Sequence, residues 1–268
     1  MSGTLFVVAT PIGNLEDITV RALRVLREAS VIAAEDTRRT ARLLARHAID
    51  TPTTSVHEHN EAAKSPGLIA RLERGENVAL VSDAGTPTIS DPGARLIREA
   101  ISAGIRVEPI PGASAVIAAM AVAGLPSEPF SFHGFPPVRS KDRLKWFERV
   151  RTVAGTVVFF EAPHRIRRTL ETLRQQVGDR QVVLARELTK VHEELVRGPI
   201  SVVLEHLPAP RGEFTVVIDI GHQPDNAAGE PPATGESKRS IIAALARTYG
   251  VSTNAVYEAL ERLRNSVD

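Results

Sequence analysis

The sequence contains no cysteine, which excludes disulfide bonds, thiolate nucleophiles and zinc-thiolate sites. It also contains no run of about 18 apolar residues, the length that a membrane-spanning helix needs. The first residues, MSGTLFVVAT, place no basic region before their apolar run, so they do not resemble a secretion signal. These absences predict a cytoplasmic protein whose chemistry uses oxygen and nitrogen atoms.

An excess of charge of one sign is missing too, because 33 Lys and Arg oppose 32 Asp and Glu, for a net charge of +1. A nucleic-acid partner would therefore have to bind local basic patches and not a global field. Hydrophobic residues make up 43% of the 268 residues, which is ample for a core. A chain of this length predicts two domains, or two with a small appendage.

Apolar runs that alternate with helical patterns predict an α/β fold, and residues 78–93, VALVSDAGTPTISDPG, form its central stretch. A buried strand is followed there by a turn of small residues, where a ligand can reach the backbone. Asp83 would then face the ligand and accept from a hydroxyl or an amine, or bind a metal. Alternatively, Asp83 forms an Asx-type turn that caps the following helix. Similar turns at residues 9–17 and 109–115 favour the ligand interpretation.

Three other motifs of the first half have weaker signatures. The turn after the first strand holds one glycine, Gly13, and lacks the spaced glycines of a dinucleotide fingerprint, which disfavours a Rossmann oxidoreductase. Residues 35–40, EDTRRT, either belong to a site or complement a helix dipole and pair within the helix. Residues 57–64, HEHNEAAK, match no metal-binding spacing and favour a polar loop that enters a helix.

In the second half, the patterns predict helices at 141–150 and 165–177 and strands at 130–133, 156–161, 182–186, 200–204 and 214–220. Because a short loop joins the last two strands, we expect a mixed sheet. Polar clusters follow two strands, in FFEAPHR and ARELTKVHEE. At the carboxyl edge of the sheet they would face the first domain's turns and form a cleft between the domains.

A basic stretch at residues 136–151 surrounds Trp146 and Phe147 with Arg139, Lys141, Arg143, Lys145, Arg149 and Arg151. Basic residues interleaved with aromatic ones suit an RNA backbone. The alternative is a solvated helix with Trp146 in the core.

Changes in composition predict four segments. Residues 1–112 form an N-terminal α/β domain that carries the turns, and residues 113–221 form a second α/β domain. Residues 222–236 are rich in Pro, Gly and Ala and predict a linker. Residues 237–268 contain two helical patterns broken at Gly250, which predict a small domain of the helix-turn-helix kind.

Seven motifs recur in a fixed order between about Leu5 and Ile220: ATPIGNLEDIT, AEDTRRT, VSDAGTPTISDPG, PGASA, EAPHR, RELTK and GEFT. On these motifs the chain resembles the tetrapyrrole-methylase superfamily of S-adenosylmethionine-dependent methyltransferases, and within it the branch that acts on ribosomal RNA. Relatives that methylate tetrapyrrole carbons have a GDP motif at the positions of Ser82, Asp83 and Ala84. That departure is typical of the RNA branch.

The resemblance implies a two-domain class III methyltransferase fold with a small helical C-terminal domain, working as a homodimer with S-adenosylmethionine in the interdomain cleft. It implies 2′-O-methylation of a decoding-centre cytidine in 16S ribosomal RNA of the 30S subunit, with no metal and no DNA or membrane partner. The implied donor contacts are Pro11, Asp83, Ala84, Thr86, Ser114, Ala115 and Leu188.

Methyl transfer to a ribose hydroxyl is an in-line displacement that also needs a proton acceptor. Candidate bases are Glu187, His164 and Glu161, while Lys190 or Arg165 could position a phosphate or lower the pKa of the hydroxyl. Two other function classes stay open: a small-molecule methyltransferase of the tetrapyrrole type, and a non-catalytic RNA-binding module of the ribosome. The basic stretch and the C-terminal helices favour RNA over a macrocycle, and the donor turns favour an enzyme.

Overall fold

The computed structural model of the protein describes residues 2–221, 242, 246 and 252–257. The chain divides into two compact units, Met1–Gly221 and His222–Asp268. In the second unit residues 253–257 are helical, and the Ser252 hydroxyl accepts a hydrogen bond from the Ala255 amide, as expected of a helix cap. The predicted linker at 222–236 and most of the predicted helix pair at 237–268 lie outside the described residues.

The first unit begins with a parallel sheet in the order β3-β2-β4-β1-β5, made of β1 (Thr4–Val8), β2 (Val31–Ala34), β3 (Thr53–Ser55), β4 (Val78–Val81) and β5 (Arg106–Ile110). Every residue of β2 and β4 is buried. Strands of parallel sheets read as continuous apolar runs because helices cover both of their faces.

The covering helices are α1 (Val20–Glu28) and α2 (Thr37–Arg46) on one face, and α3 (Glu61–Glu73) and α4 (Ala94–Ser102) on the other. Thr19 caps α1 by accepting a hydrogen bond from the Ala22 amide. Val20 does not belong to the buried side of α1, because its side chain is 85% exposed.

The N-terminus of helix α4 is capped by a residue of another helix. The Glu61 carboxylate of α3 accepts hydrogen bonds from the amides of Arg95 and Leu96. The alternative in which Asp83 caps this helix is wrong. A metal site at residues 57–64 is not supported either, since no group of three or more metal-ligating side chains occurs within the described residues. Glu61 therefore has a structural role as a cap.

The second half of this unit is a mixed sheet in the order β6-β7-β10-β8-β9, as predicted. It contains α5 (Ala115–Ala123), β6 (Phe130–Phe132), α6 (Ser140–Arg151), β7 (Thr156–Glu161), α7 (Ile166–Val177), β8 (Gln181–Arg186), β9 (Glu194–Pro199), α8 (Ile200–Glu205) and β10 (Phe214–Asp219). Only the β6–β7 pair is parallel among these strands. Helix α5 packs on this sheet, in a cluster with Val158, Val183 and Val217.

The predicted strand at 200–204 is wrong, since these residues form helix α8 and the strand missed by the sequence analysis is β9. Asp179 explains the helix, because its carboxylate accepts from both the amide and the hydroxyl of Ser201 in the first helical turn. The short run at 200–204 has no periodicity that distinguishes a strand from a helix, so this tertiary contact determines its secondary structure.

The aromatic residues of the basic stretch lie in the core. Trp146 and Phe147 of α6 are 3% and 1% exposed, and Trp146 packs edge-on against Phe159. They cannot stack on nucleobases, so that part of the RNA interpretation is wrong. The basic residues at 139, 141, 145, 149 and 151 remain exposed. No helix in the described part of the chain is long and apolar enough to cross a membrane.

Candidate active site

A cleft of about 360 Å³ opens between the two sheets. Its first wall is built by the turns that leave β4 and β5, and its second wall by the residues after β7 and β8 and the start of β10. Small-molecule sites have volumes of roughly 300–1,000 Å³. Ligands of parallel sheets bind at the carboxyl ends of the strands, which is where the first wall lies.

Six of the seven expected donor contacts line this cleft: Asp83, Ala84, Thr86, Ser114, Ala115 and Leu188. Pro11 does not line it, but it is buried next to Ile12, which does. The turns after β1 and β4 lie side by side, because Thr10 and Gly85 exchange two backbone hydrogen bonds of 2.8 and 3.0 Å. The structure therefore gathers residues that are more than 100 positions apart in the sequence.

The turn after β1 packs directly against the turn after β8. A Cβ on Gly13 would lie 2.5 Å from the Lys190 side chain and 2.8 Å from the Leu188 carbonyl oxygen. The Asn14 amide donates to Thr189 Oγ1 at 3.1 Å. Glu187 and Thr189 have φ angles of 52° and 67°, a left-handed conformation that is uncommon outside glycine. This strained turn carries Leu188 into the cleft.

Glu187 is held in a tight structural contact and is not among the residues that line the cleft. Its Oε1 accepts from Lys190 Nζ and from the Glu213 amide, both at 2.9 Å, and a Cβ on Gly212 would lie 2.4 Å from its carboxyl group. Burial raises the pKa of Glu187, but these hydrogen bonds outweigh it, so the pKa lies below its ordinary value. Such a carboxylate is a weak proton acceptor.

Glu161 lines the cleft and is fully buried at its side chain. Its carboxylate accepts from Thr169 and lies 3.2 Å from Arg165 Nε and 3.6 Å from Arg143 Nη2. Arg165 also donates to the carbonyls of Pro136 and Pro137. Arg165 thus links the buried Glu161 to the loop between β6 and α6. Removing one partner of this ion pair would leave the other charge buried and uncompensated, so the network holds the loop in place.

The loop between β6 and α6 carries Phe135, which lines the cleft although its side chain is 53% exposed. Its ring lies 5.4 Å from that of Phe160. His164 is exposed and follows Pro163, another residue of the cleft wall. The second wall thus presents an accessible aromatic ring, and the titratable candidates Glu187, Lys190 and His164 are not among the residues that line the cleft.

The first wall gathers acidic residues, of which Glu35 belongs to the motif EDTRRT and Asp91 is a residue that the sequence did not identify. Glu35 and Asp91 line the cleft together with Asp83, and Glu35 accepts a hydrogen bond from the Asp83 amide at 3.2 Å. Burial raises the pKa of Glu35. Burial, together with the negative charge of Glu35, raises the pKa of Asp91 to about 6.

Arg39 is a further cleft residue, and its Nη1 lies 3.4 Å from Asp83 Oδ2. The other Asp83 oxygen accepts from the Asp36 amide at 3.0 Å. Asp83 therefore lines the cleft and also ties the turn after β4 to the start of α2. In the sequence, Asp91 follows Ser82 by nine residues in the turn after β4. This position is the one signal that could have identified Asp91 as a cleft residue.

The model of the tetrapyrrole (corrin/porphyrin) methylases matches residues 4–203 of the chain. The chain belongs to this family. It is 44% identical to Ribosomal RNA small subunit methyltransferase I of Pseudomonas aeruginosa, over 97% of this chain and 98% of that protein. It is 46% identical to the protein of the same name from Thermotoga maritima, over 81% of this chain and 98% of that protein. The resemblance drawn from the seven motifs is confirmed.

Solved structures of tetrapyrrole methylases and related enzymes share the fold. A diphthine synthase superposes with a TM-score of 0.64 at 19% identity, covering 81% of this chain and 90% of its own. A uroporphyrin-III-C-methyltransferase from Thermus thermophilus has a TM-score of 0.55 at 21% identity, covering 81% and 94%. The predicted α/β fold class is confirmed.

The raised pKa of Asp91 predicts that this carboxyl destabilises the folded chain at neutral pH. The folded state binds its proton more tightly than the unfolded state, so stability falls as pH rises from about 4 through 6. Asp91→Asn removes the charge with little change of shape. We expect it to increase the free energy of unfolding by roughly 1–2 kcal/mol at pH 7.5, after allowance for solvent screening, and by less at pH 5.

Urea denaturation at the two pH values measures this effect. Asp50→Asn, at an exposed aspartate, is the matched control and should change stability by less than about 0.5 kcal/mol. A loss of stability in Asp91→Asn at pH 7.5 would mean that the folded chain needs this carboxylate in its ionised form.

Proposed function

We propose that the protein transfers a methyl group from S-adenosylmethionine to the ribose 2′-hydroxyl of a decoding-centre cytidine in 16S ribosomal RNA. The observation that carries this proposal is the similarity, over nearly the whole length of both chains, to relatives named Ribosomal RNA small subunit methyltransferase I. The Escherichia coli O157:H7 relative, for example, is 41% identical over 97% of this chain and 96% of its own. The seven motifs also favour the RNA branch.

The cleft fits the proposed methyl donor in size and in the chemistry of its first wall. When bound, S-adenosylmethionine supplies an electrophilic methyl group on a sulfonium. Ala84, Ser114 and Ala115 are small and let a ligand approach the backbone of two turns. The carboxylates of Asp83 and Glu35 supply acceptors for hydroxyl and amine groups. We infer that these residues, with Thr86, Leu188 and the neighbouring Pro11, hold the donor.

The second wall suits a nucleotide. Single-stranded bases are recognised by stacking on accessible aromatic rings, and Phe135 presents such a ring in the cleft. We infer that Phe135 stacks on the target base. Arg165 and Glu161 act as positioning residues in this proposal, because their buried ion pair fixes the loop that carries Phe135. Trp146 and Phe147 have no part in base recognition.

A general base works best when its pKa lies near the operating pH. Asp91, with a pKa of about 6 and a place in the cleft wall, meets this condition better than Glu187, whose pKa is lowered by Lys190 and the Glu213 amide. We therefore infer that Asp91 accepts the proton of the hydroxyl. His164, exposed beside Pro163, is the second candidate. We assign Glu187 and Lys190 to holding the turn after β8.

We further propose a cytoplasmic homodimer, as the family resemblance implies, and a reaction that involves no metal, DNA or membrane. Sedimentation equilibrium of the purified chain tests the dimer. The four-segment division at 112, 221 and 236 also remains a proposal.

The proposed reaction predicts that tritiated S-adenosylmethionine labels 30S subunits from cells that lack the endogenous enzyme. Mapping the label by nuclease digestion should locate one 2′-O-methylated cytidine in 16S RNA. Subunits from cells that contain the enzyme are the control and should take up little label. Donor binding without RNA labelling, together with methylation of a porphyrinogen, would instead favour the small-molecule alternative.

Asp83→Ala is predicted to weaken binding of S-adenosylmethionine at least ten-fold, because it removes an acceptor from the cleft. Isothermal titration calorimetry measures the affinity, and RNA binding should stay near wild type. Asp83→Asn keeps an acceptor for the Asp36 amide and separates loss of charge from loss of the turn's geometry. Donor affinity that is equal in wild type and Asp83→Ala would contradict this role.

Asp91→Asn is predicted to lower the methylation rate by about 10² or more, the usual contribution of a general base. In the wild type the rate should rise with pH around 6, since the ionised carboxylate is the active form. A pH profile of single-turnover rates for both proteins measures this. His164→Ala is the comparison, and a loss of the pH-dependent rise in that variant alone would transfer the role to His164.

A further inference from the structure

Positive charge is concentrated on one face of the first sheet. Helices α1 and α2 on that face contain seven arginines and one glutamate. Helices α3 and α4 on the opposite face contain four basic and three acidic residues. Since the whole chain has a net charge of only +1, this asymmetry is a local property of one surface.

Within this face, α2 carries an arginine ridge, which we define as Arg38, Arg42 and Arg46. The three residues are four positions apart and therefore lie on one side of the helix, and all are exposed. Like charges at this spacing destabilise a helix, so the ridge is unfavourable for α2 itself. Arg38 is paired with Asp36, but no side chain in the described part of the chain forms an ion pair with Arg42 or Arg46.

The arginine ridge is continuous with the cleft. A second depression, of about 270 Å³, is lined by Asp36, Arg38, Arg39 and Arg42. Arg39 also lines the cleft, where it lies next to Asp83. Guanidinium groups thus extend from the cleft wall outward along α2.

We propose that the arginine ridge binds the phosphodiester backbone of the RNA substrate on one side of the nucleotide held in the cleft. This proposal rests on the proposed function and adds a binding surface to it. Guanidinium groups donate paired hydrogen bonds that match phosphate oxygens, and phosphate contacts fix register without reading sequence. The ridge places the RNA so that one nucleotide reaches Phe135 and the cleft.

The test is the double variant Arg42→Ala/Arg46→Ala, which leaves the ion pairs of Arg38 and Arg39 intact. Binding to 30S subunits from cells lacking the endogenous enzyme is measured by filter retention from 50 to 300 mM KCl. Each lost phosphate contact lowers the slope of log affinity against log salt by about 0.7–0.9, so the variant should lose roughly 1–2 in slope. We expect at least a ten-fold loss of RNA affinity, a raised KM for RNA and unchanged affinity for S-adenosylmethionine.

The matched control is Lys64→Ala/Arg98→Ala, which removes two exposed cations from the opposite face of the sheet. It should keep wild-type RNA affinity and salt slope. Arg42→Lys/Arg46→Lys preserves charge but not the paired donors, and it should restore the slope and only part of the affinity. Thermal denaturation by circular dichroism establishes that all variants are folded.

Equal losses in the double variant and in the opposite-face control would overturn the proposal, because they would reflect net charge alone. Wild-type RNA affinity and slope in Arg42→Ala/Arg46→Ala would overturn it as well. If either result is obtained while the wild-type protein methylates the subunit, the proposed function stands and only the role of the arginine ridge is overturned. A wild-type protein that neither binds nor methylates RNA would overturn both.

Discussion

The cleft exists because two turns from different sheets pack together with no space for a side chain between them. Gly13 after β1 meets the backbone and side chains of Leu188 to Lys190 after β8, and the Asn14 amide donates to Thr189 across the same contact. The hydrogen bonds between Thr10 and Gly85 then bring the β4 turn alongside. A larger residue at Gly13 would separate the sheets at the point where both cleft walls begin.

The acidic residues on the two sides of the cleft have opposite electrostatic environments. On the side of the second sheet, Glu161, which lines the cleft, and Glu187, which does not, are paired with cations and support turns and loops. On the first wall, Glu35 and Asp91 lie near Asp83, and the pKa values of both are raised. The carboxyl groups with raised pKa values therefore lie on the wall that carries most of the expected donor contacts, and clusters of perturbed pKa values are common at functional sites.

The sequence was sufficient for features that depend on local pattern. The buried strands, the small-residue turns after β1, β4 and β5, and the family motifs followed from short segments, and six of the seven expected donor contacts line one cleft. It failed where distant residues decide. The helix at 200–205 depends on Asp179, and the burial of Trp146 depends on packing against Phe159.

The environment of Glu187 could not be predicted for the same reason. Its carboxylate looked like a base from the motif RELTK, but the amide that binds it belongs to Glu213, 26 residues later. The raised pKa of Asp91 likewise arises from burial and from the charge of Glu35, which lies at the end of a different strand. Titration behaviour depends on neighbours in space, and a motif contains only neighbours in sequence.

The burial of Trp146 has a practical consequence, because it is the single tryptophan of the chain. It lies in the core of the second sheet with Phe147 and Phe159, and the first sheet contributes no indole. Tryptophan fluorescence of this protein therefore reports on one half of the cleft-bearing unit, whereas circular dichroism reports on both. Coincidence of the two unfolding transitions would measure whether the halves melt as one cooperative unit.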